Sequence, residues 1–388
     1  MHYKIKYLPP FIIAAFVIGF IALMKGCLGE YDTYGVVGWP ATSADSKITA
    51  AVTVENKTTS YTKRGGFTAI NYASTYSLTA YENATGKLLK RKELVALTDL
   101  HYKPLRAYGG YNNLLWVFAD GLKAFDINTL EEVVNEEKLA AHNPFIKNKF
   151  PREQQFIQSF AARGFIRFTA TDGIKYQLDL TSLTIKPQEE ETDNMAMLAS
   201  FKLNPFFMDD AADFGVNADT LEGKLYALTA SVKNISPGMG SIKTGNTGNE
   251  RMTLYRLPYS TKSFGQNSFL NFSDTTKLNS DTYINGNFLR DHLTGIAMHL
   301  SSPAGFLLLH KDIIGDKASV IITRIDTENK KIWEANTGLS TKISYCAVSG
   351  NYCVVAGQVS ADKSPFQGSD GFKIINMENG NLVNVSLK

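Results

Sequence analysis

The chain has 388 residues, of which 44% are hydrophobic, 11% aromatic and 20% charged. This composition excludes intrinsic disorder, which requires low hydrophobicity and high net charge, and three cysteines are too few for a small disulfide-rich scaffold. Because single hydrophobic cores stop growing at roughly 250–300 residues, the length requires two domains or a repeat architecture.

The formal net charge of +3 arises from the first 26 residues, which contain Lys4, Lys6 and Lys25 and no acidic residue or arginine. Subtracting these 3 lysines from the 40 basic residues leaves 37, which equals the number of acidic residues. Nucleic-acid-binding proteins carry an excess of basic charge to neutralise phosphates. We therefore expect no nucleic-acid partner.

An apolar segment lies close to the N-terminus. Lys4 and Lys6 precede an uninterrupted apolar run of 14 residues, Phe11–Met24, and Lys25 follows it. A basic flank and a run of this length are typical of a signal or signal-anchor segment with the body of the chain outside the cytoplasm. Residues 1–27 are therefore predicted to form a hydrophobic helix that acts as a signal or membrane anchor. Residues 28–46, rich in Gly, Thr, Ser and Asp, are predicted to be a tether.

The dipeptide Gly26-Cys27 directly follows this apolar segment. The segment resembles bacterial lipoprotein signals, whose motif is an aliphatic residue, two small residues and the lipidated cysteine. Met24 stands at the aliphatic position and Lys25 at one of the small positions. Three alternatives stay open: lipidation of Cys27, an uncleaved anchor helix, or ordinary cleavage. All three place residues 28–388 outside the cytoplasm.

The rest of the chain repeats one pattern: an alternating apolar strand, an acidic or amide residue, a turn and a second strand. The recurring polar position, or a proline in one degenerate copy, is occupied by Glu82, Asp126, Asp179, Pro258, Asp326 and Asn376. The spacings are 44, 53, 79, 68 and 50 residues, and three of them match one propeller blade. One such unit cannot bury its apolar face alone, so units stack around a channel.

These repeats predict an all-β fold, a β-propeller of six or seven four-stranded blades over residues 47–388. Loop insertions are predicted near residues 140–155 and 187–222. A pair of β-sandwiches is the alternative architecture.

The phrases YENATGKLLK and IDTENKKIWEA resemble the repeats of quinoprotein-like β-propellers, the PQQ-repeat-like superfamily. This resemblance implies a propeller fold. The superfamily includes quinone-dependent dehydrogenases and non-enzymatic scaffolds such as outer-membrane assembly lipoproteins. The quinone enzymes carry an adjacent cysteine pair and tryptophan motifs in nearly every blade, whereas this chain has only Trp39, Trp116 and Trp333 and no adjacent cysteines. The resemblance therefore implies the fold and argues against the quinone, so no cofactor is expected.

Cys346 and Cys353 flank the turn signal Ser349-Gly350-Asn351. Folding the two strands about this turn predicts that the cysteines are direct cross-strand neighbours, close enough for a disulfide. Two buried thiols are the alternative.

No linear motif predicts catalytic residues or a histidine metal site. Asp209, Asp210 and Asp213 are oxygen ligands suited to a hard cation such as calcium, although their spacing does not match an EF-hand. These aspartates and Arg152 lie in the two predicted insertions and are the candidate binding-loop residues.

The favoured hypothesis is a membrane-tethered extracytoplasmic propeller that binds or scaffolds a protein or glycan partner. A propeller enzyme (hydrolase, lyase or dehydrogenase) with a site at the channel mouth, or a small-ligand sensor domain, is the alternative.

Overall fold

The computed structural model describes residues 32–64, 67–97, 105–188, 215–216, 218–222, 224–230, 250–257, 276–291, 295–359 and 369–388. These residues form mostly antiparallel β-structure in five sheets, and the one α-helix among them is α1 (Glu136–His142). The predicted N-terminal helix and Cys27 lie outside the described residues. The predicted all-β class is confirmed for the part of the chain that is described.

The first two sheets come from the N-terminal third of the chain. The first contains β1 (Thr33–Val36), β3 (Ala41–Thr42), β4 (Ile48–Arg64), β5 (Phe67–Glu82) and β6 (Leu88–Leu97). The second contains β2 (Gly38–Trp39), β7 (Leu105–Tyr111), β8 (Leu114–Ala119), β9 (Leu122–Asp126) and β10 (Glu132–Val134). In both sheets the longer strands pair in chain order, β4-β5-β6 and β7-β8-β9-β10. The short strands β1–β3 contribute to both sheets. β1 and β3 pair with β4 of the first sheet, and β2 pairs with β7 at the edge of the second.

The prediction that residues 28–46 form a tether is corrected from residue 33 onward. Val36 and Ala41 are buried, and the strands around them pair with β4. The reason is that small and β-branched apolar residues occur between the polar ones in this stretch and complete the apolar face of the first sheet.

The remaining three sheets follow in chain order. The third contains β11 (Ile157–Phe160), β12 (Phe165–Thr169), β13 (Lys175–Asp179) and β14 (Ile185–Pro187). The fourth contains β15 (Gly215–Val216), β16 (Ala218–Leu221), β17 (Lys224–Thr229), β18 (Arg251–Leu257), β19 (Thr276–Leu289), β20 (His299–Ser301), β21 (Ala304–Lys311), β22 (Ser319–Asp326) and β23 (Lys331–Ser340). The fifth contains β24 (Ile343–Ser349), β25 (Tyr352–Gly357), β26 (Gly371–Asn376) and β27 (Leu382–Asn384).

The nine-stranded fourth sheet consists of two meanders that share the long strand β19. Residues 276–284 of β19 pair with β18, and residues 284–288 pair with β21. We call β16–β19 the leading half and β19–β23 the trailing half. Each half has the four-strand order of the other sheets, so the described residues form six successive antiparallel meanders.

The repeated polar residue of the sequence lies in the turn from the third strand to the fourth. It does so in every meander for which this turn is described. Asp126 Oδ1 accepts hydrogen bonds from the backbone N–H groups of Asn128 (2.9 Å) and Thr129 (2.8 Å). Asp179, Asp326 and Asn376 accept equivalent bonds from residues two to four positions later. A side chain that hydrogen-bonds the backbone ahead of it stabilises a tight turn, which explains the recurrence.

The residue after the repeated position ties this turn to the turn between the first and second strands of the same meander. Its backbone N–H donates to a carbonyl there in four sheets: Asn83 to Lys47 (2.8 Å), Ile127 to Asn113 (3.0 Å), Leu180 to Gly164 (2.8 Å) and Met377 to Asn351 (2.8 Å). All four donor residues are buried. The repeat seen in the sequence therefore corresponds to a repeat in the structure.

Five hydrophobic clusters lie between successive meanders. They join the first sheet to the second, the second to the third, the leading to the trailing half of the fourth, the trailing half to the fifth, and the fifth back to the first. In the last of these, Tyr81 of β5 packs edge-to-face on Phe372 of β26, with ring centroids 5.7 Å apart. Val36 and Ser369 also exchange two backbone hydrogen bonds, of 2.7 and 3.1 Å. The last sheet of the chain thus packs against the first.

Candidate functional site

The two ends of the sheets carry different sets of connections. In an antiparallel meander the first-to-second and third-to-fourth turns lie at one end, and the second-to-third turn and the connection to the next sheet lie at the other. We call these the turn end and the loop end. Turn ends meet at neighbouring sheets: Ala44 N donates to Asn113 Oδ1 (3.3 Å), and the Tyr111 and Thr181 hydroxyls lie 3.1 Å apart. Asn279 Nδ2 donates to the Asn329 carbonyl across the two halves of the fourth sheet (2.6 Å).

The loop end of the second sheet carries the predicted insertion near residues 140–155. It contains α1 and two short 3-10 helices, Pro144–Ile146 and Gln154–Phe156. Asn135 caps α1, because its side chain accepts from the Lys138 N–H. Leu139, Ile146 and Phe150 are buried between the second and third sheets. The insertion is therefore anchored by its apolar residues and by the buried Asn143, whose side chain hydrogen-bonds the backbone of Leu183 and Ile185.

Arg152, a candidate binding residue from the sequence, lies in this insertion. Its side chain is 67% exposed and its Nη1 is 3.8 Å from Glu136 Oε2. Glu136 Oε1 also accepts from the Leu122 N–H (3.1 Å), and burial raises the pKa of its carboxyl group. A pair whose arginine is largely exposed contributes little to stability at this distance. The Arg152 guanidinium is thus available at the loop end, and Lys149 of the same insertion forms an ion pair with Asp172 (Nζ to Oδ2, 3.2 Å).

Exposed apolar side chains concentrate in the connections of the loop end. Among the described residues, six large apolar side chains in these connections are each 46–52% exposed: Phe145, Phe156, Ile174, Ile313, Ile314 and Val359. The other exposed ones lie on the fourth strands of the sheets or between β19 and β20. Exposed apolar groups that cluster in one region mark an interaction site more often than scattered ones do.

The long strands of the first sheet continue toward this end. Within the described residues, β1 pairs with β4 as far as Asn56, and β6, which is described to Leu97, pairs with β5 as far as Ser74. β4 and β5 pair with each other as far as Arg64 and Phe67. Residues 57–64 and 67–73 thus form a paired hairpin that extends past the described parts of β1 and β6, and we refer to it as the ribbon. It was not predicted because its first strand alternates between polar residues; Gly65-Gly66 between two Thr- and Tyr-rich runs is the hairpin signal that could have found it.

One histidine lies in a polar cluster, in the trailing half of the fourth sheet. His310 Nε2 is 2.8 Å from Thr323 Oγ1 and 4.0 Å from Glu334 Oε2, and the Tyr283 ring packs edge-on against the imidazole. Burial lowers the pKa of His310. Because Lys331 Nζ neutralises Glu334 at 2.7 Å, the polar groups of this cluster satisfy one another. The described residues contain no group of three or more His, Cys, Asp or Glu side chains placed to hold a metal ion.

Cys346 and Cys353 are close but not directly opposite. The hairpin pairs Ser349 with Tyr352, so its turn is Gly350-Asn351, Cys353 faces Val348, and Cys346 faces Val355. The predicted direct pairing is wrong by two residues because Gly350, with φ of +54°, starts the turn one position later than expected. Both cysteines are buried, and the hydrogen bond between them, with burial, raises the pKa of the Cys346 thiol. Cys346 and Cys353 are thus diagonal cross-strand neighbours rather than direct ones.

The remaining predicted site residues, Asp209, Asp210 and Asp213, lie outside the described residues, as does most of the predicted insertion at 187–222. The ends of that range are strands, β14 before it and β15–β16 within it. In the described part of the chain there is no helix with the length and apolar character needed to cross a bilayer.

No family model matches the chain, and no curated protein matches it. Among solved structures, the chain is similar to the dihydro-heme d1 dehydrogenase NirN, with 11% identity, a TM-score of 0.23 and coverage of 91% of this chain and 57% of NirN. It is also similar to BamB from Moraxella catarrhalis, with 13% identity, a TM-score of 0.21 and coverage of 90% and 75%. A third is Saccharomyces cerevisiae Sqt1, with 10% identity, a TM-score of 0.21 and coverage of 90% and 86%. At these TM-scores the similarities carry no argument, and the fold rests on the sheets themselves.

Proposed function

We propose that the six meanders are the blades of a six-bladed β-propeller. Five of the six expected inter-blade cores lie among the described residues, and one of them joins the last sheet to the first. A row of meanders would leave one face of the first and of the last sheet without cover, whereas a ring covers both. The recurring turn at the same end of each blade supports this arrangement.

The chain is further proposed to be tethered to a membrane outside the cytoplasm by residues 1–27. The 14-residue apolar run with lysines on both sides supports this, as does the absence of net charge after residue 26. Cys27 is the proposed lipidation site. A reporter enzyme that is active only outside the cytoplasm, fused after Lys388, tests the location. Activity of the fusion is expected, and a fusion active only after cell lysis would contradict it.

The propeller acts as a binding or scaffolding module for a protein or glycan partner through its loop end. The observation that carries this proposal is the concentration of half-exposed apolar side chains in the connections of that end, beside Arg152. At the turn end, the described third-to-fourth turns of the second and third sheets and of the trailing half are tight and internally hydrogen-bonded instead. The apolar loop-end residues supply the desolvated contacts of an interface, and the charged ones supply its polar rim.

Photo-crosslinking in cells tests this surface. A photo-reactive phenylalanine analogue is placed at Phe156 or Ile313 in the loop-end connections. Matched controls carry it at Val133 or Ile332, which are exposed on fourth strands. Discrete adducts are expected from the first pair and not from the second. Adducts from the fourth-strand positions alone would move the binding surface away from the loop end.

A further inference from the structure

The ribbon is the largest departure of the first sheet from the other meanders. Its strands, residues 57–64 and 67–73, extend about 25 Å beyond the described parts of β1 and β6. Contact with a second surface stabilises a long hairpin, because two strands alone are marginally stable in water.

The sequence of this stretch has one sign of charge. Residues 56–74 contain Lys57, Lys63 and Arg64 and no Asp or Glu, together with the aromatic residues Tyr61, Phe67 and Tyr72. Lys57 is 65% exposed, with its Nζ 3.4 Å from Glu55 Oε1 below the ribbon. The body of the chain after residue 26 has no net charge. The ribbon is thus a locally basic and aromatic segment on a neutral body.

The chain enters the fold at the base of the ribbon. Asp32 Oδ1 accepts a hydrogen bond from the Thr58 N–H (2.8 Å), so the first described residue lies beside the first residues of the ribbon. Cys27 precedes Asp32 by five residues, which span at most about 17 Å. Met24, the last residue of the apolar run, precedes it by eight, which span at most about 28 Å.

These lengths allow the ribbon to reach a membrane that holds residues 1–27. Both the entry point and the ribbon lie at the loop end of the first sheet, and the span of the connecting chain is close to the length of the ribbon. Lysine and arginine side chains are attracted to anionic lipid headgroups within about a Debye length, 8–10 Å at physiological salt. Tyrosine and phenylalanine side chains favour the membrane–water interface.

We propose that the ribbon is a second membrane contact, an arm that binds anionic phospholipid headgroups and holds the loop end of the first sheet next to the bilayer. The proposal rests on the proposed anchoring of residues 1–27. Each basic residue at an anionic surface contributes about a five-fold preference, so three shift the ratio of docked to undocked ribbon by up to about 100-fold at low salt.

The test uses the full chain reconstituted in vesicles of phosphatidylcholine, with or without phosphatidylglycerol. Flotation with neutral vesicles measures the anchor, and amide hydrogen exchange of residues 58–73 measures docking of the ribbon. We expect flotation with both vesicle types. Exchange in the ribbon should be about 10-fold slower or more with anionic vesicles, and high salt should remove the difference.

Two triple variants separate the ribbon from overall charge. Lys57→Gln with Lys63→Gln and Arg64→Gln should still float but lose the slower exchange. The matched control removes three exposed lysines at or next to turn-end turns, Lys87→Gln with Lys186→Gln and Lys330→Gln, and should retain it. Equal exchange in both vesicle types, or slow exchange that survives in the ribbon variant, would overturn the proposal. A full chain that fails to float with neutral vesicles would contradict the proposed membrane anchor. Docking of the ribbon is then judged separately, by whether anionic vesicles slow amide exchange in residues 58–73.

Discussion

The packing of the last sheet on the first is the contact that closes a ring, and a double-mutant cycle at Tyr81 and Phe372 measures it. Both side chains are almost fully buried, at 2% and 1% exposed, and their rings meet edge-to-face with an interplanar angle of 73°. Replacing either residue with leucine keeps the site apolar but removes a ring, which should cost about 1–2 kcal/mol of unfolding free energy.

An edge-to-face pair contributes about 0.5–1.5 kcal/mol beyond the area that it buries. The variant with both Tyr81→Leu and Phe372→Leu should therefore be destabilised by that much less than the sum of the two single variants. Urea unfolding followed by tryptophan fluorescence gives each free energy, provided that the m-value stays constant. Phe168→Leu, in the cluster between the second and third sheets, is the control partner, and its effect should add to that of Tyr81→Leu within about 0.5 kcal/mol.

A coupling of zero between Tyr81 and Phe372, equal to that of the control pair, would refute the reasoning. It would mean that Tyr81 and Phe372, which are separated by about three quarters of the chain, do not share a core in solution. The six meanders would then form an open row, and the proposed propeller would fail with it.

Three further predictions concern single sites. Asp179→Ala removes the acceptor of a repeated turn and should cost about 0.5–1.5 kcal/mol, whereas Asp179→Asn should be tolerated because Asn376 plays this part in the fifth sheet; thermal unfolding compares the two. Burial lowers the pKa of His310, so its neutral ring stabilises the fold fully above the unfolded-state pKa of about 6.5, and this contribution is lost as the pH falls through the lower, folded-state pKa. His310→Gln should therefore reduce the loss of melting temperature between neutral and mildly acidic pH, and an unchanged pH profile would exclude this role. Cys346 and Cys353 should resist alkylation in the native protein and both react in denaturant without reductant; mass spectrometry that finds them unmodified would show a disulfide instead.

The repeated turn could be predicted from the sequence because it is local. Asp126 and Asp179 bond to N–H groups two and three residues ahead, so the pattern that stabilises each turn is contained in a few consecutive residues. The second strands of these sheets were predicted for the same reason, since continuous apolar runs bounded by turn residues are visible along Leu114–Ala119 and Tyr352–Gly357.

The ribbon and the cysteine hairpin show where local patterns become insufficient. The first strand of the ribbon consists of Lys, Thr, Ser, Tyr and Arg rather than alternating apolar residues, so it lacks the apolar periodicity from which the other strands were predicted. The hairpin register depends on which of Ser349, Gly350 and Asn351 form the two-residue turn, and the packing of both strands in the core decides that.

The sequence by itself determined that this chain is a series of antiparallel units with a polar residue at each final turn, because those interactions involve residues close in the chain. It also determined the apolar N-terminal run and the neutral charge of everything after it. Only the tertiary structure decided that the last sheet packs on the first, that residues 33–42 belong to the fold, and that the chain enters beside the ribbon. The physical reason is that these contacts join residues far apart in sequence, such as Val36 and Ser369, and complementary shapes select them without leaving a pattern in either segment alone.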